Sequence, residues 1–161
     1  MSDAPISDTE VPSMLQTDLH WLMARAARGL GVLTERTLKE HDVGSRGYVL
    51  LAVLAEHEQL SQLALGRAAA FDKSTVVRIV DELEEAGLVV RTADVADRRI
   101  RNVSLTPAGT RALKSCHVSV TRLQDELLET LSPARRQALL SALLDLGTGA
   151  TAATFDTKAA V

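Results

Sequence analysis

Apolar residues recur along this chain at two periods, and the change between them marks its organisation. A polar opening with Pro5 and Pro12 reads as a frayed arm over residues 1–12. Beyond it, Leu15, Leu19, Leu22, Ala26, Leu30, Leu33 and Thr37 fall three and four apart, the spacing of one helix face. The stripe predicts a helix from about Ser13 to about Glu40, about 40 Å long at roughly 1.5 Å per residue. That is long for a small domain and leaves apolar surface in want of a partner. His41 to Gly47 holds two glycines and reads as a turn. Tyr48 to His57 follows as a short, strongly apolar helix. Ser61 is placed to cap "SQLALGRAA", Phe71-Asp72 breaks that helix, and Asp72 or Ser74 caps "KSTVVRIVDELEEAG". Gly87 is placed to end it in a left-handed conformation.

The period then shortens. "LVVRT" is β-branched and "IRNVSLT" carries Ile100, Val103 and Leu105, so the two read as strands of a β-hairpin with a long tip. Thr106-Pro107 is a helix start, with Thr as N-cap and Pro at the first helical position. The helix it opens runs to about Leu131, with Leu113, Val120, Leu123, Leu127 and Leu131 on one side. Ser132-Pro133 repeats the signal before Leu139, Leu140, Leu143, Leu144 and Leu146. "GTGATAATFDTKAAV" reads as a loose tail. The predicted class is mainly α with a small β-hairpin. A middle unit over residues 46–111 stands between a helix at 13–45 and helices at 112–147, with a tail at 148–161.

Composition adds that the core is aliphatic: 46 % of residues are apolar but only 2 % aromatic, so Leu, Val and Ala must fill it, and Leu and Ala favour helices. Cys116 is the one cysteine, which rules out an intramolecular disulfide framework. The start carries no signal-peptide pattern and no apolar run approaches the roughly 20 residues of a membrane helix. A cytoplasmic protein is therefore expected, without a membrane partner.

The net charge of -3 conceals segregation. The first 59 residues carry nine acids against five bases. From Ala86 to Arg111 there are five bases (Arg91, Arg98, Arg99, Arg101, Arg111) against Asp94 and Asp97. Distribution, more than total, decides whether a polyanion can dock.

Two short helices, a tight turn and a hairpin describe a winged helix-turn-helix, whose second helix must project into a major groove about 12 Å wide. Val76, Ile79, Val80 and Leu83 form that helix's inner side, over Leu65, Ala69 and Phe71. Lys73, Ser74, Thr75, Val77 and Arg78 lie opposite, as base and phosphate readout requires. In the hairpin tip, Asp97 holds the turn while Arg98, Arg99 and Arg101 reach for phosphate or a narrow minor groove. Plainer readings stand beside these. Ser74 serves as a cap alone, Arg78 pairs with Asp81 or Glu82, and the wing is a solvated edge with Arg99 paired to Asp97.

"LSQLALGRAAAFDKSTVVRIVDELEEAGLVVR" followed by "DRRIRNVSLTPAG" resembles the MarR family of bacterial transcriptional regulators. The likeness lies in a "DKST" helix start, a D-x-R wing (Asp97 and Arg99) and the closing "LTPAG". The resemblance implies a homodimer held by its terminal helices, two winged domains on a pseudo-palindromic operator in double-stranded DNA, and release by a small ligand. It also puts Trp21 where the family often has a pocket aromatic, with Arg25 one turn on, an arrangement suited to a small aromatic or acidic effector. The alternative is that Trp21 is core and Arg25 a surface charge. Cys116 sits away from the position of the family's peroxide-sensing cysteines and reads as a buried hydrophobe. His20, His41, His57 and His117 lack metal-ligand spacing. With no Gly-rich phosphate loop, H-E-x-x-H or G-x-S-x-G, neither an enzyme nor a cofactor is expected. The competing function is a winged-helix module that binds protein, for which an arginine-rich tip serves no purpose.

Overall fold

A computed structural model describes residues 11–94 and 101–159, with side chains described as far as residue 149. Six α-helices and three short strands follow in the order α1 (Leu19–Lys39), α2 (Ser45–Ala55), β1 (Leu60–Ser61), α3 (Gln62–Ala69), α4 (Lys73–Glu85), β2 (Val89–Ala93), β3 (Arg101–Leu105), α5 (Pro107–Leu127) and α6 (Pro133–Ala159).

The first helix begins later than the leucine spacing predicts. Asp18 is extended and its carboxylate accepts the Trp21 backbone N–H at 2.7 Å, so α1 starts at Leu19, and among the described residues a single 3-10 turn, Ser13–Leu15, precedes it. A cap outranks a continuing apolar stripe because it satisfies an otherwise orphaned donor. The second helix starts earlier than expected, at Ser45. Its N-cap is Gly44, which has no side chain to offer, and Glu35 of α1 supplies the missing acceptor by taking the Ser45 N–H at 2.9 Å. Hydrogen bonding from the Ser45 hydroxyl, and after it from this backbone N–H, holds the Glu35 carboxyl below its usual pKa.

The core gathers Leu50, Leu51 and Leu54 of α2, Leu65 of α3 and the stripe Val76, Ile79, Val80 and Leu83 of α4, all buried. Ala69 and Phe71 pack against it, half-buried. Cys116 and Val120 of α5 close the cluster, and burial pushes the Cys116 thiol up. Along α1, by contrast, Leu19, Leu22, Leu30 and Leu33 are exposed, as are Leu139, Leu140, Leu143, Leu144 and Leu146 on α6. Arg136 pins the corner between the last two helices, donating to the Leu128 carbonyl at 2.8 Å and to Asp125 at 3.2 Å.

Two differences from the sequence pattern stand out. The sheet has three strands in the order β1-β3-β2, because Leu60 and Ser61 pair antiparallel with Val103 and Asn102. Two residues are too few to show alternation. At the other end, α6 continues to Ala159 through the segment expected to be loose. Gly147 and Gly149 weaken a helix, but Ala150, Ala152 and Ala153 beyond them favour it.

Candidate nucleic-acid interface

The turn between α3 and α4 presents the second helix outward. Ser61 caps α3 by accepting the Ala64 N–H at 3.2 Å. Asp72 caps α4 more fully. Its Oδ1 accepts the Thr75 N–H at 2.9 Å and the Ser74 hydroxyl at 2.5 Å, and its Oδ2 accepts the Thr75 hydroxyl at 2.6 Å. Three donors on one carboxylate hold its pKa far below the usual range. The Ser74 and Thr75 hydroxyls thus fill a structural role.

Lys73, Ser74, Val77 and Arg78 are exposed on α4, while Thr75 is half-buried. Arg78 donates to Glu82 at 2.5 Å, one turn along and equally exposed. Such a pair is worth about 0–1 kcal/mol, so a guanine edge or a phosphate can displace it. The helix is divided by charge, with Lys73 and Arg78 toward its start and Asp81, Glu82, Glu84 and Glu85 toward its end.

Its far end is built to hold the wing. Gly87 has φ +69°, and the Leu88 N–H reaches back to the Leu83 carbonyl at 2.8 Å while the Gly87 N–H bonds Glu84 O at 2.9 Å. This is the paired C-terminal closure that a left-handed glycine permits. The strand that follows, β2, pairs with β3 in the register Val89↔Leu105 to Ala93↔Arg101. Thr106 then caps α5, accepting the Gly109 N–H at 3.0 Å while its hydroxyl donates to the Gly87 carbonyl at 2.8 Å. A Cβ on Gly109 would stand 2.0 Å from the Leu88 carbonyl oxygen, which explains the glycine of "LTPAG". The end of α4, the base of the wing and the start of α5 therefore meet at one knot.

Arg101 is exposed at the loop end of the wing's strands, opposite Ala93. Asp97, Arg98 and Arg99 lie outside the described residues. Two features escaped the sequence reading. Asn102 is buried and donates to Asp94 at 2.9 Å, bracing the loop end of the hairpin. Arg91, counted above among the basic charges near the tip, is turned onto α4, where it pairs with Asp81 and Glu84.

A cleft of about 710 Å³ separates α1 from α4, lined among others by Arg28, Glu35, Arg46, Arg78, Ile79 and Glu82. Trp21 and Arg25 are not part of its lining. They lie on the same stripe of α1, nearer its start, with the Arg25 guanidinium 5.2 Å from the Trp21 ring centroid. The histidines make pairwise contacts: His41 with the Ser119 hydroxyl at 2.8 Å, and His117 with the Tyr48 hydroxyl at 3.0 Å. Among the described residues, no group of three or more His, Cys, Asp or Glu could hold a metal ion, and no helix is long and apolar enough to cross a membrane.

A helix-turn-helix backed by a three-stranded wing, set between two pairs of long or apolar helices, defines a winged-helix protein. Residues 41–100, rather more than a third of the chain, match the model of the MarR family. A protein assigned to transcriptional regulation of the hcr operon in Thauera aromatica is 38 % identical over 96 residues, 60 % of this chain and 58 % of that protein. The HTH-type transcriptional regulator SarZ of Staphylococcus aureus is 36 % identical over 78 residues, 48 % of this chain and 52 % of SarZ. The chain thus spans a little over half the length of these relatives, both of them named as transcriptional regulators. Among solved structures, the transcriptional repressor CouR bound to a 23-mer DNA duplex superposes with a TM-score of 0.78 at 26 % identity, covering 86 % of this chain and 99 % of CouR. CouR from Rhodococcus jostii RHA1 bound to p-coumaroyl-CoA superposes at 0.72 with 26 % identity, covering 84 % of this chain and 95 % of that one.

Proposed function

We propose that the protein is a sequence-specific DNA-binding repressor of transcription, acting as a cytoplasmic homodimer on a pseudo-palindromic operator. The observation that carries this reading is the exposed face of α4, where Lys73, Ser74, Val77 and Arg78 stand clear of the core beside a wing that presents Arg101 at the loop end of β3. Lys73 and Arg101 act on phosphate, Ser74, Thr75 and Arg78 on base edges, and Arg98 and Arg99 on the backbone or minor groove, with Asp97 holding the tip. CouR, which shares the fold along almost its whole length, binds a DNA duplex. The exposed leucines of α1 and α6 supply the dimer's apolar surface, and two-fold symmetry then places two α4 helices on half-sites about one helical turn apart.

Release follows from occupancy of the cleft between α1 and α4. Its arginines, Arg28 and Arg46, suit an acidic ligand, and Arg78 lines the same cleft that it leaves to reach DNA. Trp21 with Arg25 offers an aromatic extension along α1. Selection from a random duplex pool tests the function: two inverted half-sites about one turn apart are expected. A pool that stays unenriched after repeated rounds would favour the protein-binding module instead.

A further inference from the structure

Arg91 belongs by sequence to the wing and by contact to the recognition helix. It is the third residue of β2, and its side chain is only 18 % exposed. Its backbone N–H donates to Glu84 Oε1 at 3.0 Å, and its Nη1 donates to Glu84 Oε2. Its Nη2 donates to Asp81 Oδ1 and, more loosely, to the Val77 carbonyl at 3.5 Å. Val77, Asp81 and Glu84 are spaced four and three apart, so the guanidinium lies along one stripe of α4 over two turns. That stripe runs between the buried face of the helix and the face that carries Ser74 and Arg78. With its backbone and both terminal nitrogens engaged at once, Arg91 fixes β2 in both slide and tilt relative to α4. A bidentate guanidinium does this where a lysine, a point charge, would not.

We propose that Arg91 is a positioning residue. By gripping Asp81 and Glu84 it holds the wing at the one spacing from α4 that lets helix and wing engage a duplex together. It is not itself a phosphate contact. The inference rests on the DNA-binding reading. The Arg91 hydrogen bonds also hold the Glu84 carboxyl below its usual pKa, so the grip persists throughout the neutral range. Two acidic groups close to a polyanion would ordinarily weaken binding. Here they are kept because they hold the arginine, and this gives the proposal a test with a sign.

Binding of the full-length protein to a selected duplex and to a scrambled one is measured by anisotropy across a salt series, with the active fraction fixed by stoichiometric titration. Arg91→Ala is expected to weaken operator binding by roughly tenfold, within the range for residues of one network. Scrambled-duplex binding and the salt slope should remain unchanged. A direct phosphate contact would instead weaken both duplexes and reduce the slope by about 0.9, overturning the proposal. Glu84→Ala leaves the Arg91–Asp81 pair in place and carries the test should Arg91→Ala fail to fold. It removes a negative charge, so charge repulsion alone predicts tighter operator binding, whereas the brace requires weaker binding. The double variant should be no weaker than Arg91→Ala, and additive losses would contradict the proposal. Failure of the wild type to distinguish the duplexes overturns the DNA reading and this inference with it. A discriminating wild type whose variants bind equally well overturns the inference alone.

Discussion

Asp72 holds the hydroxyl of Thr75 at 2.6 Å and its backbone N–H at 2.9 Å, closing the first turn of α4 at the point where that helix would meet DNA. The same carboxylate takes the Ser74 proton, so both hydroxyls have given their one donor away. What each keeps is acceptor capacity. In the major groove the donors they can meet are the amino groups of adenine and cytosine.

Ser74→Ala should therefore relax selection for adenine or cytosine at one position of each half-site, by about 0.5–1.5 kcal/mol. Repeating the duplex selection with the variant checks this. Lost preference for guanine or thymine would mean that Ser74 donates and that the cap opens on binding.

The cap also sets a pH dependence. Folding lowers the Asp72 pKa, so its stabilisation is fully present above about 4, the ordinary Asp value, and fades as pH falls toward the folded value. Asp72→Asn keeps an acceptor at the N-cap and removes the titration. Its unfolding midpoint should lie below the wild type's at neutral pH, because the amide nitrogen cannot accept the Thr75 hydroxyl, and should fall less steeply below about pH 4. Parallel acid limbs in the two denaturation series would contradict the assignment.

Arg78 and Glu82 form an exposed pair that must separate before Arg78 reads a base. Arg78→Ala should cost about 1–3 kcal/mol at one base pair if the guanidinium reads guanine. Glu82→Gln should tighten binding, since it frees Arg78 and removes a negative charge. A uniform loss across sequences in Arg78→Ala would reassign the residue to phosphate.

At the knot beneath the wing, Gly109→Ala drives a Cβ to within 2.0 Å of the Leu88 carbonyl oxygen. The clash is with backbone, which cannot step aside as a flexible side chain would. A loss of about 3 kcal/mol or more in thermal unfolding is expected. A midpoint within a degree of wild type would mean that the contact is not close in solution.

What the sequence made legible was what repeats locally. The α4 stripe Val76, Ile79, Val80 and Leu83 was readable from its helical spacing, and the caps Ser61 and Thr106 from their chemistry, with Asp72 one of two candidates beside Ser74. Features that depend on a distant partner were not. β1 needs β3 to exist at all. Asp18 resembles any exposed acid until its cap is seen, and the reach of α6 is hidden by two glycines. Arg91 looked like one more wing charge because its partners lie seven and ten residues back, across the turn from helix to strand, a separation with no fixed signature. The cleft at Arg28 and Arg46 is likewise an assembly of three elements, whereas Trp21 drew notice by being the one tryptophan.

The central claim is sequence-specific recognition of DNA, and an anisotropy titration at physiological salt tests it directly. A duplex from upstream of the protein's own gene is compared with a scrambled duplex of the same composition. The account predicts binding to the upstream duplex at least about a thousandfold tighter, as specific recognition over phosphate attraction provides. Equal affinity for the two would contradict it.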